Sequence, residues 1–345
     1  MAEQVRSRFR RFVESSRHRA PLYSRISGAL ADWPALEDLL AEAPDPARVP
    51  VNLFAAVHYL LLAEPDAPLA RFYPNLAGAG TDPGDPVPEF LDFCAERAAD
   101  LRELVATRLP QTNEIGRAPL LVAGLGALPP GPRAQLDLGA SAGLNLMLDR
   151  LAYSDGHGVL GDSALVLDCV VRPSGRRLAD GLAVIRSRLG LDANPLDLTD
   201  PDDARWLEAC VWPDQADRFA RLQRAIALFL ADPIPLRRGD AVADLASTVA
   251  ELGDGVPVIT TSWMLCYLER ERQREFVTVL DALGAEHDLD WVWVESPVVV
   301  PVLPVPAELV GSDVTVLGYS SWRGGRRTDR ALARCHPHGY WLTWL

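Results

Sequence analysis

At 345 residues, with 48% hydrophobic and 7% aromatic content, the chain can form one large α/β domain or a catalytic domain with an appendage. Its net charge of −13 (34 basic against 47 acidic residues) repels a phosphate backbone and argues against a nucleic-acid partner. All 34 basic residues are arginine, which excludes Schiff-base, pyridoxal-phosphate and Walker-type lysine chemistry. No apolar run approaches the ~20 residues that span a bilayer, so no membrane partner is expected. The start, Met1 to Arg6, is charged and carries no apolar leader. Five dispersed cysteines (Cys94, Cys169, Cys210, Cys266, Cys335) form no C-x-x-C pair, and no histidines stand at metal-ligand spacing. The expectation is a cytoplasmic protein with reduced thiols and no metal.

Residues 1–115 read as a helical N-terminal region. Apolar positions recur at three-to-four spacing in Phe9-Phe12-Val13, Leu36-Leu39-Leu40 and Leu53-Phe54-Val57-Leu60-Leu61. Pro44, Pro46, Pro50, Pro65 and Pro74 punctuate the segments, and His58 sits in an apolar helix. Asn113, Glu114 and Arg117 precede the apolar run Ala118–Leu128. Arg117 suits a carboxylate partner, or else a helix-surface pair with Glu114.

From Arg133 the pattern changes to short β runs alternating with helices. Strands are expected at Ala134–Leu138, Ala183–Leu191, Ile234–Arg238, Val256–Thr261, Trp291–Glu295, Val314–Tyr319 and Tyr340–Leu345. Helices are expected at Gly143–Leu151, Asp203–Val211, Gln215–Ala231, Ala241–Leu252 and Arg270–Leu283. This alternation predicts a mostly parallel sheet whose last two strands pair antiparallel. Ser154–Asp180 reads as an insertion with an extra strand at Ala164–Val171. The basic run Arg323–Arg334 reads as a solvated loop.

The most informative stretch is Asp137-x-Gly139-x-Ser141-x-Gly143, an apolar strand ending in an acid and a loop of small residues. The glycines permit positive φ or close approach of a ligand. N–H groups at the start of the following helix would face that ligand. An adenosyl cofactor also needs an acid at the end of the second strand to accept bonds from its ribose hydroxyls. Asp192 stands 55 positions after Asp137 (192 − 137) at a strand end before a turn; its rival Asp168 stands 31 positions after (168 − 137). Asp240 with Ala241 suits adenine, or Asp240 simply caps the next helix. Trp263 and Tyr267 wall a pocket or pack in the core. No Asn/Asp-Pro-Pro-aromatic turn follows Thr260-Thr261, which argues against DNA-type N-methylation.

The Asp137–Gly143 loop resembles the first motif of class I S-adenosylmethionine-dependent methyltransferases, with Ser141 in place of the common middle glycine. More closely, the chain is similar to a family of uncharacterised bacterial proteins assigned to that fold. The matching segments are Asn113–Arg117, Gly139–Leu146, Asp192–Asp197, Trp206 through Pro213, and His336-Pro337-His338-Gly339. The resemblance implies a Rossmann-like, seven-stranded methyltransferase sheet over residues 116–345, with an insertion near 154–180 and residues 1–115 on the substrate side. It implies S-adenosylmethionine as cofactor, held by Arg117, Asp137, Gly139, Ser141, Gly143, Asp192, Asp240 and Ala241. The acceptor would be a small molecule lined by Asn113, Glu114, Trp263 and Tyr267. His58, Glu114 and His338 are the candidate general bases. The rivals are a non-catalytic cofactor-binding protein and an α/β-hydrolase. The hydrolase would use Ser141 of Gly-x-Ser-x-Gly with Glu295 or Asp313 and His336 or His338.

Overall fold

Proline at the first turn of a helix loses no hydrogen bond, and several N-terminal prolines occupy that place. Pro21, Pro50 and Pro74 open the helices Pro21–Asp32, Pro50–Ala63 and Pro74–Ala77. The computed structural model describes residues 2–45, 48–173 and 175–345. Pro46, one of the expected breaks, lies outside them. The chain divides into two compact units, Met1–Thr112 with Asp197–Ile226, and Asn113–Leu196 with Ala227–Leu345.

The first unit is helical. Its core includes Tyr23 stacked on Phe54 with centroids 4.2 Å apart, and Phe90 set edge-on to Phe54 at 5.9 Å. One turn beyond Phe54 on the same helix, His58 is fully buried. Its Nδ1 meets the carbonyl of Ala209 at 3.0 Å, and its Nε2 meets the Asn75 amide at 2.9 Å. Burial depresses its pKa to about 4. As a base candidate His58 fails, because both ring nitrogens are committed inside a core.

The second unit carries the strands, in chain order β1 (Arg133–Leu138), β2 (Ala152–Ser154), β3 (Val159–Leu160), β4 (Val166–Asp168), β5 (Val170–Arg172) and β6 (Ile185–Asp192). They continue with β7 (Leu236–Arg238), β8 (Val256–Ser262), β9 (Leu289–Glu295), β10 (Thr315–Arg323), β11 (Arg326–Cys335) and β12 (Trp341–Trp344). Among the described residues, nine of them form one sheet in the order β5-β12-β11-β10-β9-β8-β1-β6-β7, and β3-β2-β4 form a second. The large sheet has nine strands where seven were expected, because β11 inserts between β10 and β12 and β5 extends it beyond β12. From β7 to β9 every pairing is parallel; β9-β10-β11-β12 are joined antiparallel.

Side-chain alternation places helices on both faces. A Cβ on Gly124 of the helix Ala118–Gly126 would strike Val292, so that helix lies close over one face. The neighbouring Trp291 points the other way and packs edge-on to Phe276 of the helix Arg270–Glu286, at 5.4 Å.

Three expectations need correction. The run Arg323–Arg334 is no solvated loop: it contains the turn Gly324-Gly325, with φ of 54° and 75°, and most of β11. Two left-handed residues between strands make a tight hairpin. The arginine charge is also neutralised locally, with Arg327 at 3.1 Å from Asp281 and 2.8 Å from Asp329. Consequently β10 and β12, the last two expected strands, do not pair; β11 lies between them. The expected helix Gly143–Leu151 is instead two short 3-10 turns, Leu144–Leu146 and Leu148–Arg150. Its carbonyls serve distant side chains. Gln135 donates to Asn145 O at 3.2 Å, Arg188 to Leu146 O at 2.9 Å, and Tyr153 to Leu148 O at 2.6 Å.

At the opposite edge from the strands' carboxyl ends, fully buried Asp290 accepts from Arg133 at 2.5 Å and from Arg323 at 2.8 Å. Removing one partner of such a pair leaves an uncompensated buried charge, at a cost of about 3–5 kcal/mol. Asp290→Asn should therefore lower the urea midpoint sharply. A midpoint within error of the native one would show that Arg133 finds water or another acceptor.

Candidate functional site

Because β1, β6, β7, β8 and β9 are parallel, their carboxyl ends share one edge, and the antiparallel β10 returns β11 to it. Strand order reverses around β1: β6 and β7 extend to one side, β8 and β9 to the other. In open α/β sheets a crevice forms at such a switch point.

Asp137, near the carboxyl end of β1, is 3% exposed and accepts from Thr260 Oγ1 at 2.6 Å. Burial pushes its carboxyl up to about 7, with the charge of Asp192 adding and that of Arg117 opposing. Above it the loop takes left-handed backbone at Gly139 (φ 68°), Ser141 (54°) and Gly143 (78°). The absent Cβ atoms make room for protein. One on Gly139 would strike Met264, and one on Gly143 would lie 2.8 Å from Leu236 Cδ2.

Several of the loop's donors are likewise committed. Ser141 N donates to Asp192 Oδ2 at 2.8 Å, and Leu144 N donates to Asn113 Oδ1 at 2.9 Å. Asp192 also accepts from Asn194 N through Oδ1 at 2.7 Å, and Leu196 N donates to Ser141 O at 3.1 Å. Asp192 ends β6, the strand beside β1, whereas exposed Asp168 ends β4 of the small sheet. One strand further out, exposed Asp240 accepts from Val242 N and Ala243 N through Oδ1, at 2.9 and 2.7 Å, and pairs with Arg272. It is not the N-cap of the next helix, which is Asp244. Asp240 holds a turn through Ala241, so the expected helix Ala241–Leu252 shortens to Leu245–Ala250.

On the other side of β1, Arg117 reaches across the edge. Its Nε donates to Pro337 O at 2.8 Å and its Nη1 to Ser262 O at 2.8 Å. The guanidinium is 7% exposed and ties the end of β8 to the loop before β12. That loop closes on Gly116, because a Cβ on Gly339 (φ 78°) would strike the Gly116 carbonyl. Glu114, 2% exposed, accepts from Gly116 N at 2.8 Å and faces His338 Nδ1 at 3.4 Å. Arg117 acts as a clasp between these two segments.

Trp263 follows β8 with φ 56°, half-buried, its indole N–H enclosed and without a hydrogen bond; Tyr267 is 80% exposed. Sequence reasoning gave no role to Thr260 or Ser262, and gave Glu295 only a hydrolase role. Glu295 ends β9 fully buried, with Oε1 accepting from Met264 N at 2.9 Å and Leu265 N at 3.2 Å. Burial pushes it up to about 7, against those two bonds and Arg117. An acid at a strand end of the carboxyl edge was the signal available for it. The expected residues Asn113, Glu114, Arg117, Asp137, Gly139, Ser141, Gly143, Asp192 and His338 thus meet along one edge, with Trp263 at the end of β8. Asp240 and Ala241 stand at its rim.

A carboxyl that holds its proton to about pH 7 when folded, but only to about 4 when unfolded, binds more protons when folded. Its stabilising contribution is full below about pH 4 and is lost as pH rises through about 7. Glu295→Gln keeps the acceptor for both N–H groups and cannot ionise. Its urea midpoint should match the native one at pH 5 and exceed it at pH 8.5. Equal offsets at the two pH values would show that Glu295 is ionised throughout.

No curated protein and no solved structure matches this chain. A family model described as "Uncharacterized protein conserved in bacteria (DUF2332)" matches residues 6–344, and the chain belongs to that family.

Proposed function

We propose that this protein binds S-adenosylmethionine at the switch point and transfers its methyl group to a small molecule. The carrying observation is Asp192, at the end of the strand beside β1 and joined to the Ser141 amide of the glycine loop. Five parallel strands in the order β7-β6-β1-β8-β9 give the half-sheet on which nucleoside-type cofactors bind.

The residues fit such a ligand unevenly. Each Asp192 oxygen accepts one N–H and keeps lone-pair capacity for a ribose hydroxyl. Asp240 with the Ala241 backbone stands one strand further out, on the adenine side. The end that would hold the methionine carboxylate fits less well, because Arg117 donates to the carbonyls of Pro337 and Ser262. When bound, the cofactor supplies a methyl group on a positively charged sulfur. The chain's own part is to hold donor and acceptor in line and to exclude water.

One observation favours a second reading. Ser141 has φ 54° in Gly-x-Ser-x-Gly, the strained turn of a hydrolytic nucleophile. Against it, Ser141 is 3% exposed, and Glu295 is bonded to the backbone of Met264 and Leu265. Covalent labelling of Ser141 by a fluorophosphonate, lost in Ser141→Ala, would replace methyl transfer with hydrolysis. No labelling is expected.

Calorimetric titration should show binding of S-adenosylmethionine and S-adenosylhomocysteine and none of NAD. Asp192→Asn should weaken binding about 10- to 100-fold, since a hydrogen bond to a charged group is worth about 1.5–3 kcal/mol. The same change should lower the melting temperature, because the amides of Ser141 and Asn194 lose an ionised acceptor. NAD binding without adenosylmethionine binding would overturn the proposal.

A further inference from the structure

Residues directly opposite one another on paired strands share a face of the sheet. One such row runs Glu295, Val316, Arg334, Thr343, Arg172, from β9 through β10, β11 and β12 to β5. Glu295 and Val316 are fully buried, and Val316 shares a core with Phe276 and Leu280 of the helix Arg270–Glu286. Arg334 and Arg172 are exposed and Thr343 is half-buried. The cover over this face therefore ends between β10 and β11, and the last three strands leave it open.

Alternation puts Val170 and Trp341 on the open face as well, two residues from Arg172 and Thr343 and paired with each other. Arg172 lies over the Trp341 ring, 5.7 Å from its centroid. A guanidinium stacked in this way keeps its N–H groups for an acceptor in its own plane. His336, whose N–H bonds Trp341 O at 3.0 Å, sets its ring edge-on to Trp341 and stacks on Tyr340 with centroids 4.5 Å apart. Tyr340 is 46% exposed and Val170 is 55% exposed. Among the described residues, neither Arg172 nor Arg334 has an acidic partner or a side-chain hydrogen bond.

We propose that this open sheet face binds a small aromatic phosphate, with its ring against Tyr340 and Trp341 and its phosphate between Arg172 and Arg334. The two arginines stand two strand spacings apart, about 10 Å between Cα atoms, with Thr343 between them. The three oxygens of a phosphate serve both guanidiniums and the hydroxyl, whereas a carboxylate offers only two. Charge sets the size of the ligand. A net charge of −13 repels a polyanionic strand along its length. A single phosphate feels chiefly the charges within a Debye length, about 8 Å, which here are the arginines beside it. Six strand spacings, about 29 Å, separate β12 from β6 with Asp192, so the site neither overlaps the proposed cofactor site nor depends on it.

Phenyl phosphate tests the site in the full chain. In the 15N-labelled protein it should shift the Trp341 indole resonance, identified by its loss in Trp341→Phe. Changing Arg172→Gln and Arg334→Gln together should weaken binding about 10-fold or more, with the melting temperature unchanged because both side chains are exposed. Tyr340→Ala should weaken phenyl phosphate and leave the weaker binding of inorganic phosphate as it was. No indole shift, or an affinity untouched by the arginine changes, overturns the site. Equal affinity for phenyl phosphate and inorganic phosphate removes the aromatic part, and benzoate binding as tightly as phenyl phosphate removes the phosphate class. Tighter binding of a single-stranded oligothymidylate would replace the small ligand with a nucleic acid.

Discussion

The carboxyl edge of the large sheet depends on one buried cation. Arg117 donates to carbonyls of Ser262 and Pro337, from segments far apart in the sequence, and its charge acts on both Asp137 and Glu295. A single guanidinium cannot compensate two buried carboxylates at full charge. Desolvation then prevails, and both acids are pushed up to about 7. Burial thus raises both acids, with Arg117 opposing. Such groups exchange protons near neutral pH and are common in functional sites.

The glycine loop is turned inward by the same economy. Its amides are paired with Asp192 and Asn113, and its missing Cβ atoms admit Met264 and Leu236. Displacing an N–H bonded to a carboxylate costs about 1.5–3 kcal/mol, which weakens any ligand that must do so. A diol that adds to the remaining lone pairs of Asp192 avoids that cost. This is why the proposed cofactor is assigned to Asp192 and not to the loop amides.

The parallel core was legible because its strands are apolar runs, several of which end in an acid or a turn. Strand β11 was not, since its arginines hide the alternation, although Gly324-Gly325 marked the hairpin. The failed helix after Gly143 has helical apolar spacing. What prevents it is competition for its carbonyls by Gln135, Tyr153 and Arg188, the last about 40 residues away. In the site, Asn113, Glu114 and Arg117 stood out as polar residues before an apolar run. That Arg117 would meet Pro337, 220 residues on, no local pattern could disclose.

Distance along the edge gives the clasp its functional weight. Neighbouring strands lie about 4.8 Å apart, and five spacings separate β6, with Asp192, from β11, where the histidine loop begins. Laid straight along the edge, the histidine loop would stand roughly 24 Å from Asp192. Arg117 instead bonds that loop to the end of β8, two spacings from β6, or about 10 Å. Arg117, expected from the sequence to bind the cofactor, is in the structure the residue that ties the loop before β12 to the end of β8.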